Sequence, residues 1–189
     1  MENFIILDIE TTGLSAWRHR ITEIAALKFI NRNLVDEFVT LVNPLVPIPR
    51  FITRLTGIDD PMVRDKPTID RIIGDLSDFM EDIPIVAHNA TFDYNFIDYN
   101  MRKHLNLRFT NPKICTARLA RRLVPFLPSK RLSSLCQFFD INNVSEHRAK
   151  GDSLATAEIF NIMLDMMKKR GIEDLDGILK LQRSRIQSI

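Results

Sequence analysis

The run Phe4-Ile5-Ile6-Leu7 passes without a break into Asp8-Ile9-Glu10 and then Thr11-Thr12-Gly13. A stretch that is apolar on both faces, too short for a good helix and closed by a turn-forming glycine belongs in the middle of a sheet whose two faces are both covered. Its far end breaks the pattern. Asp8 and Glu10 stand two residues apart, so on a strand both carboxylates leave the same face at its carboxyl edge. In open α/β sheets that edge is where ligands lie, and paired hard oxygen donors suit Mg²⁺ or Mn²⁺. Taken alone the pair is a weak signal, because a solvated strand end looks the same.

The remaining pattern is that of a layered α/β domain. Residues 20 to 30 and 34 to 42 are rich in Ile, Val, Phe and Thr, and the polar Asn31-Arg32-Asn33 between them predicts an antiparallel hairpin, so three strands form a meander. Pro44, Pro47 and Pro49 make residues 43 to 66 mostly loop, with room for one short helix before Gly57. After Pro67, the spacing of Ile69, Ile72, Ile73, Leu76, Phe79 and Met80 predicts a helix, and Pro84-Ile85-Val86-Ala87 a short fourth strand. Helices are expected from Thr91 to His104, from Thr116 to Leu123, from Arg131 to Phe139 with Ser129 as cap, and from Ala149 to Lys169 with Gly171 as terminator. A brief apolar piece lies near Ile114. Antiparallel strands followed by strand and helix units give a mixed sheet flanked by helices.

A chain of 189 residues supports one sizeable core and argues against two. Its 26 Lys+Arg against 24 Asp+Glu leave a net charge of +2, so attraction for phosphates has to come from local clusters and not from the overall field. Cys115 and Cys136 lack metal-ligand spacing and read as small core residues in a reducing compartment. Met1-Glu2-Asn3 offers no positive leader, and no segment reaches the roughly 18 apolar residues of a membrane span. A cytoplasmic address with no membrane partner is the expectation.

Two further clusters carry titratable groups. In Ala87-His88-Asn89-Ala90-Thr91-Phe92-Asp93, Asp93 falls in the first turn of a helix, where the helix dipole alone would welcome a carboxylate. In Glu146-His147-Arg148-Ala149-Lys150-Gly151-Asp152, His147 lies in a loop while Asp152 is fixed on a helix, a division suited to a proton-accepting histidine beside an ionised ligand.

As a set, Asp8-Ile9-Glu10-Thr11-Thr12-Gly13-Leu14, His88 to Asp93 and His147 to Asp152 resemble the three motifs of the DEDDh (DnaQ-like) 3′-5′ exonuclease family. The likeness is closest to the epsilon proofreading subunit of bacterial DNA polymerase III and its free-standing relatives, and covers residues 3 to 165. Leu55-Thr56-Gly57-Ile58 and Arg131 to Cys136 agree with it. Lys150 stands where relatives carry an apolar residue, and Cys115 precedes Thr116 where an aspartate is frequent.

The resemblance implies a ribonuclease H-like five-stranded sheet, an exonuclease domain over residues 1–170 and a C-terminal helix or tail over 171–189, docked or partner-binding. It implies two Mg²⁺ or Mn²⁺ ions: Asp8 bridging both, Glu10 and Asp152 completing the site of the water-bearing ion, Asp93 serving the second, and His147 deprotonating the attacking water. Thr11, Thr12, Gly13 and Leu14 would hold the terminal nucleotide, with Asn89 and Phe92 along the strand's path. For Leu14 and Phe92 ordinary core packing is the competing explanation. Thr12 and Gly13 are expected to leave backbone amides free for a sugar hydroxyl. The implied partner is a single-stranded 3′ end, DNA ahead of RNA, in proofreading or repair, with a DNA polymerase as a further partner. The alternatives are an RNA exonuclease and a non-catalytic polymerase- or single-strand-binding subunit. Arg118, Arg121 and Arg122, with Lys130 and Arg131 nearby, read as a solvated face able to follow phosphates; Lys168-Lys169-Arg170 reads as a helix end.

Overall fold

Phe4, Ile5, Ile6 and Leu7 have no solvent exposure, because β1 (Phe4–Thr11) runs through the centre of a sheet covered on both sides. A computed structural model describes residues 1–143 and 147–185. On one side β1 pairs antiparallel with β2 (Ile21–Ile30), which pairs in turn with β3 (Asn33–Leu41). On the other side β4 (Ile85–Ala87) runs parallel to β1, and β5 (Lys113–Cys115) parallel to β4, giving the order β3-β2-β1-β4-β5. The hairpin turn is tighter than the three polar residues suggested. Ile30 pairs with Asn33, and Asn31 and Arg32 both take positive φ, 50° and 62°, the two-residue geometry that follows the strand twist.

Alternation along β1 divides the core. Ile5, Leu7 and Ile9 pack with α3 (Ile69–Met80) and α4 (Thr91–Leu105). Phe4 and Ile6 pack with α5 (Thr116–Leu123), α6 (Leu132–Phe139) and α7 (Ala149–Lys168). Asp8 and Glu10 therefore continue the Phe4-Ile6 face, the one α7 covers. α7 buries Ile159, Phe160, Met163 and Met167 along one stripe, and Gly171 at φ 73° turns the chain beyond it.

Two local details depart from expectation. Besides α1 (Arg50–Thr56), the proline-rich stretch holds a second short helix, α2 (Asp60–Val63), because Asp59 accepts from the Met62 amide at 3.0 Å and Pro61 suits a first turn. Ser129 does not cap α6; the capping position is Arg131, and the Ser129 hydroxyl instead meets the Arg131 amide at 3.3 Å and the Ser134 hydroxyl at 2.9 Å. Cys115 and Cys136 are buried and form no disulfide, as expected.

After Gly171, Asp174 caps α8 (Leu175–Arg183) and Ile178 is fully buried against the α5–α7 side of the core. Gln182 accepts from the Cys115 amide at 2.9 Å and donates to the Lys113 carbonyl at 2.8 Å, so its side chain satisfies the outer edge of β5. Ile186 of the C-terminal segment, and Glu146 of the third motif segment, lie outside the described residues.

Candidate active site

β1 and α7 bring distant acids to one spot. Asp8, Glu10 and Asp152 each offer a carboxylate oxygen, all within 4.8 Å of one another. Asp8 lies opposite Ala25 on β2. Asp152 reaches the cluster from the first turn of α7, and its oxygens accept from the Asn143 side-chain amide at 2.6 Å and the His147 backbone amide at 3.2 Å. His147 itself is exposed on the turn before α7, with φ 63°.

Asp93 joins from the other side. β4 pairs with β1 only at Ile5 and Ile6, so the Ile9 amide, pointing the same way as that of Ile5, runs past the end of its neighbour. Asp93, 3% exposed in the first turn of α4, accepts that amide at 3.2 Å. The carboxylate thereby replaces a missing strand partner.

Burial and mutual repulsion dominate the electrostatics. Burial lifts the Asp8 carboxyl well above its ordinary value, and Asp93, Glu10, Asp152 and Glu23 lift it further. Glu10 is raised to about 8, by burial first, then by Asp152, Glu23 and Asp93, against the opposing pull of Arg148. Asp93 is raised to about 7 by burial, offset in part by hydrogen bonds from its own amide and that of Ile9. Two ionised carboxylates 4.8 Å apart repel by about 3 kcal/mol at an effective dielectric near 20. Either protons or cations must relieve this. The donors are all carboxylate oxygens, which fits a hard divalent cation and not a soft one.

A family model described as exonuclease (RNase_T) matches residues 5–160, a span that includes all of these acids. The chain belongs to the exonuclease family. The DNA polymerase III PolC-type protein of Caldanaerobacter subterraneus subsp. tengcongensis is 43% identical over 175 residues, 93% of this chain and 12% of that protein. The Bacillus subtilis PolC-type protein is 39% identical over 178 residues, 94% of this chain and again 12% of the relative. This exonuclease thus spans about one eighth of the curated relatives it matches. Among solved structures, Exonuclease X in complex with 5′-overhanging duplex DNA superposes with a TM-score of 0.75 at 28% identity, covering 95% of this chain and 99% of that one. E. coli Exonuclease I with a dT13 oligonucleotide superposes with a TM-score of 0.78 at 18% identity, covering 90% and 43%, a likeness of fold. The ribonuclease H-like sheet read from the motifs is the observed one, and the acidic cluster fits the divalent-metal dependence of the family.

Around the acids, the exonuclease arranges the other expected residues differently from one another. Leu14 is 86% exposed, so core packing does not explain it. Phe92 is half-buried, leaning on Phe96 with ring centroids 5.0 Å apart, and core packing does account for much of it. Asn89 is exposed at φ 63° just before α4. The expectation of free amides at Thr12 and Gly13 is wrong: Thr12 donates to the Arg20 carbonyl at 2.8 Å, and Gly13 donates to the Thr11 hydroxyl at 3.3 Å. Gly13 is required for another reason, since a Cβ there would meet the His19 ring at 2.4 Å. His88 bonds the Thr116 hydroxyl through Nδ1 at 2.9 Å, and burial pushes it down to about 4, so it is neutral and structural.

Glu23 was missed. It faces Glu10 across β1 and β2, receives Arg148 Nε at 3.1 Å and Nη2 at 2.6 Å, and accepts the Ala149 amide at 2.9 Å. A strand acid thus caps α7 and fixes the turn that carries Asp152. The available signal was a lone charge inside the apolar run Ile21 to Leu27. Asn143, on Asp152, gave none.

Proposed function

We propose that this chain hydrolyses DNA from its 3′ end, releasing 5′-mononucleotides one at a time, with two Mg²⁺ or Mn²⁺ ions held by Asp8, Glu10, Asp93 and Asp152. The observation that carries this is the convergence of Asp8, Glu10 and Asp152 within 4.8 Å at the end of a central strand, with Asp93 beside them. Such a cluster disfavours folding unless it is neutralised, which argues against a purely binding module. Divalent ions seated there would lower the pKa of a bound water and stabilise the departing 3′ oxygen.

The chain's own groups supply the rest. His147, on its exposed turn, takes the proton of the attacking water, and its backbone amide, bonded to Asp152, keeps it beside the cluster. Leu14 separates the last two bases, while the Thr11-Thr12-Gly13 segment holds the terminal sugar through side chains and carbonyls, its amides at Thr12 and Gly13 being engaged. Asn89 and Phe92 line the strand's path.

The duplex DNA held by Exonuclease X, whose whole length this chain covers, supports DNA over RNA. The PolC-type relatives support a proofreading or repair role beside a DNA polymerase in the cytoplasm. No described helix is long and apolar enough to cross a membrane. We assign residues 1–170 to the exonuclease unit and 171–189 to a C-terminal segment, a boundary supported by the family match ending at 160.

Matched DNA and RNA single strands labelled at the 5′ end, incubated with Mg²⁺ or Mn²⁺, test the reading. A ladder shortening from the 3′ end on DNA, absent with Asp8→Ala, is expected. An Asp8→Ala variant digesting at the wild-type rate overturns the site, and preferential shortening of RNA overturns the substrate.

A further inference from the structure

Beside the acids lies a groove of about 600 Å³ whose walls include Leu14, Trp17, Phe92, Asn95, Tyr99 and Arg102. Leu14 and Phe92 tie the groove to the acid-bearing segments, Leu14 standing four residues after Glu10 and Phe92 directly before Asp93. Trp17, the single tryptophan of the chain, is 63% exposed, three residues beyond a leucine that is more exposed still. Isolated apolar side chains on a surface need no explanation, but two on one short loop at the mouth of a groove call for an occupant.

The loop that presents them is pinned. Thr12 and Arg20 close it with two hydrogen bonds, Thr12 amide to Arg20 carbonyl at 2.8 Å and Arg20 amide to Thr12 hydroxyl at 3.0 Å. The Ser15 amide donates to His19 Nδ1 at 3.0 Å, and the His19 ring lies so close to Gly13 that no side chain fits there. A loop with its polar groups satisfied inwards and its two large apolar groups turned outwards is a platform already ordered before anything binds.

The chemistry of the walls selects the occupant. Arg18 lies over the Trp17 ring, its guanidinium carbon 4.3 Å from the centroid, which places a cation on one face of that ring. Arg102 and Asp98 pair at 2.8 Å and leave their stretch of wall neutral. Aromatic faces beside a cation, an amide at Asn95 and a neutral wall match a stacked base with its phosphate better than a protein helix, whose apolar stripe would meet these polar groups unpaired.

Resting on the exonuclease reading above, we propose that Trp17, with Tyr99 lining the same groove, forms a nucleobase subsite for an unpaired nucleotide upstream of the two that Leu14 separates. Stacking on Trp17 ties catalysis to an end that is already single-stranded, because a base held in a duplex is not free to enter.

Trp17 is its own reporter. Titrating the Asp8→Asn protein in EDTA with a dT oligonucleotide is expected to quench tryptophan fluorescence to saturation, in step with the anisotropy of a labelled oligonucleotide. In the active protein, Trp17→Ala is expected to raise KM for single-stranded DNA about tenfold with kcat changed less than twofold, and Trp17→Phe to restore most of it. Anisotropy that rises with no change in fluorescence, or a Trp17→Ala KM equal to wild type, overturns the subsite and leaves the nuclease reading intact. A wild-type protein that quenches but cuts nothing sinks the nuclease reading and leaves the subsite standing.

Discussion

The two halves of β1 face the same layers yet do opposite work. Phe4 to Leu7 are wholly buried and apolar, with Phe4 stacked on Phe29 at 5.1 Å and edge-on to Phe160 at 5.0 Å. Asp8 to Thr11 continue the same ladder with β2 but place two acids against a third from α7 and a fourth from α4. One half stabilises the fold and the other costs it stability. Function at this sheet edge therefore draws on burial a few ångströms away, as is general where repelled groups are held together.

The sharpest way to separate the halves is substitution at each. Asp8→Asn is expected to lower the cleavage rate on 5′-labelled DNA by on the order of 10³-fold or more, while raising the melting temperature of cation-free protein, since one buried charge is removed from a repelling group. Phe4→Ala is expected to do the reverse, costing about 3–5 kcal/mol in urea titration through lost contacts and a residual cavity, with cleavage per folded molecule near wild type. A Phe4→Ala protein as stable as wild type would break the contrast.

Glu23 links the halves, lying on β2 opposite Glu10 while holding Arg148 and the first amide of α7. Glu23→Gln is expected to reduce activity about tenfold by loosening the turn that carries Asp152, because partners one step removed from metal-binding groups are worth about 10–100-fold. Its stability should change little, since the lost ion pair is offset by weaker repulsion on Glu10. Steady-state rates beside urea titrations measure both.

The pH dependence of stability reads the repulsion among the acids without any substitution. Glu10 and Asp93 have folded values raised from 4.5 to about 8 and from 3.8 to about 7, so between about pH 4 and 8 the folded state binds more protons than the unfolded one. Stability of cation-free protein then falls as pH rises through that window. The melting temperature in EDTA should drop from pH 5 to pH 8, and a flat profile would show that the acids are not repelling one another.

How much of this could be read from residues alone follows from which interactions are local. β1 was legible because burial on both faces demands an unbroken apolar run, and Asp8 and Glu10 stood out by violating it. The end of α7 was legible from Gly171, which takes the left-handed conformation expected of a terminator. The convergence of Asp93 and Asp152 on β1 was readable only through the joint resemblance of three motifs, since each acid alone has a bland explanation in the helix dipole. Glu23 was legible only as a lone charge in an apolar run; its role was not, because its partners Arg148 and Ala149 lie 125 and 126 residues away and no local pattern encodes that pairing. The amides of Thr12 and Gly13 were misjudged because their partners depend on how the chain returns at Arg20. Trp17 was overlooked since a single aromatic in a polar loop has no period to mark it.

Melting temperature against MnCl₂ concentration at pH 8, for wild type and Asp8→Asn, tests most directly whether the converging carboxylates need cations to coexist. Wild type should rise by several degrees and saturate while the variant rises little. A wild-type protein indifferent to millimolar Mn²⁺, or a variant that shifts as far as wild type, contradicts the claim that these acids form one cation-binding cluster.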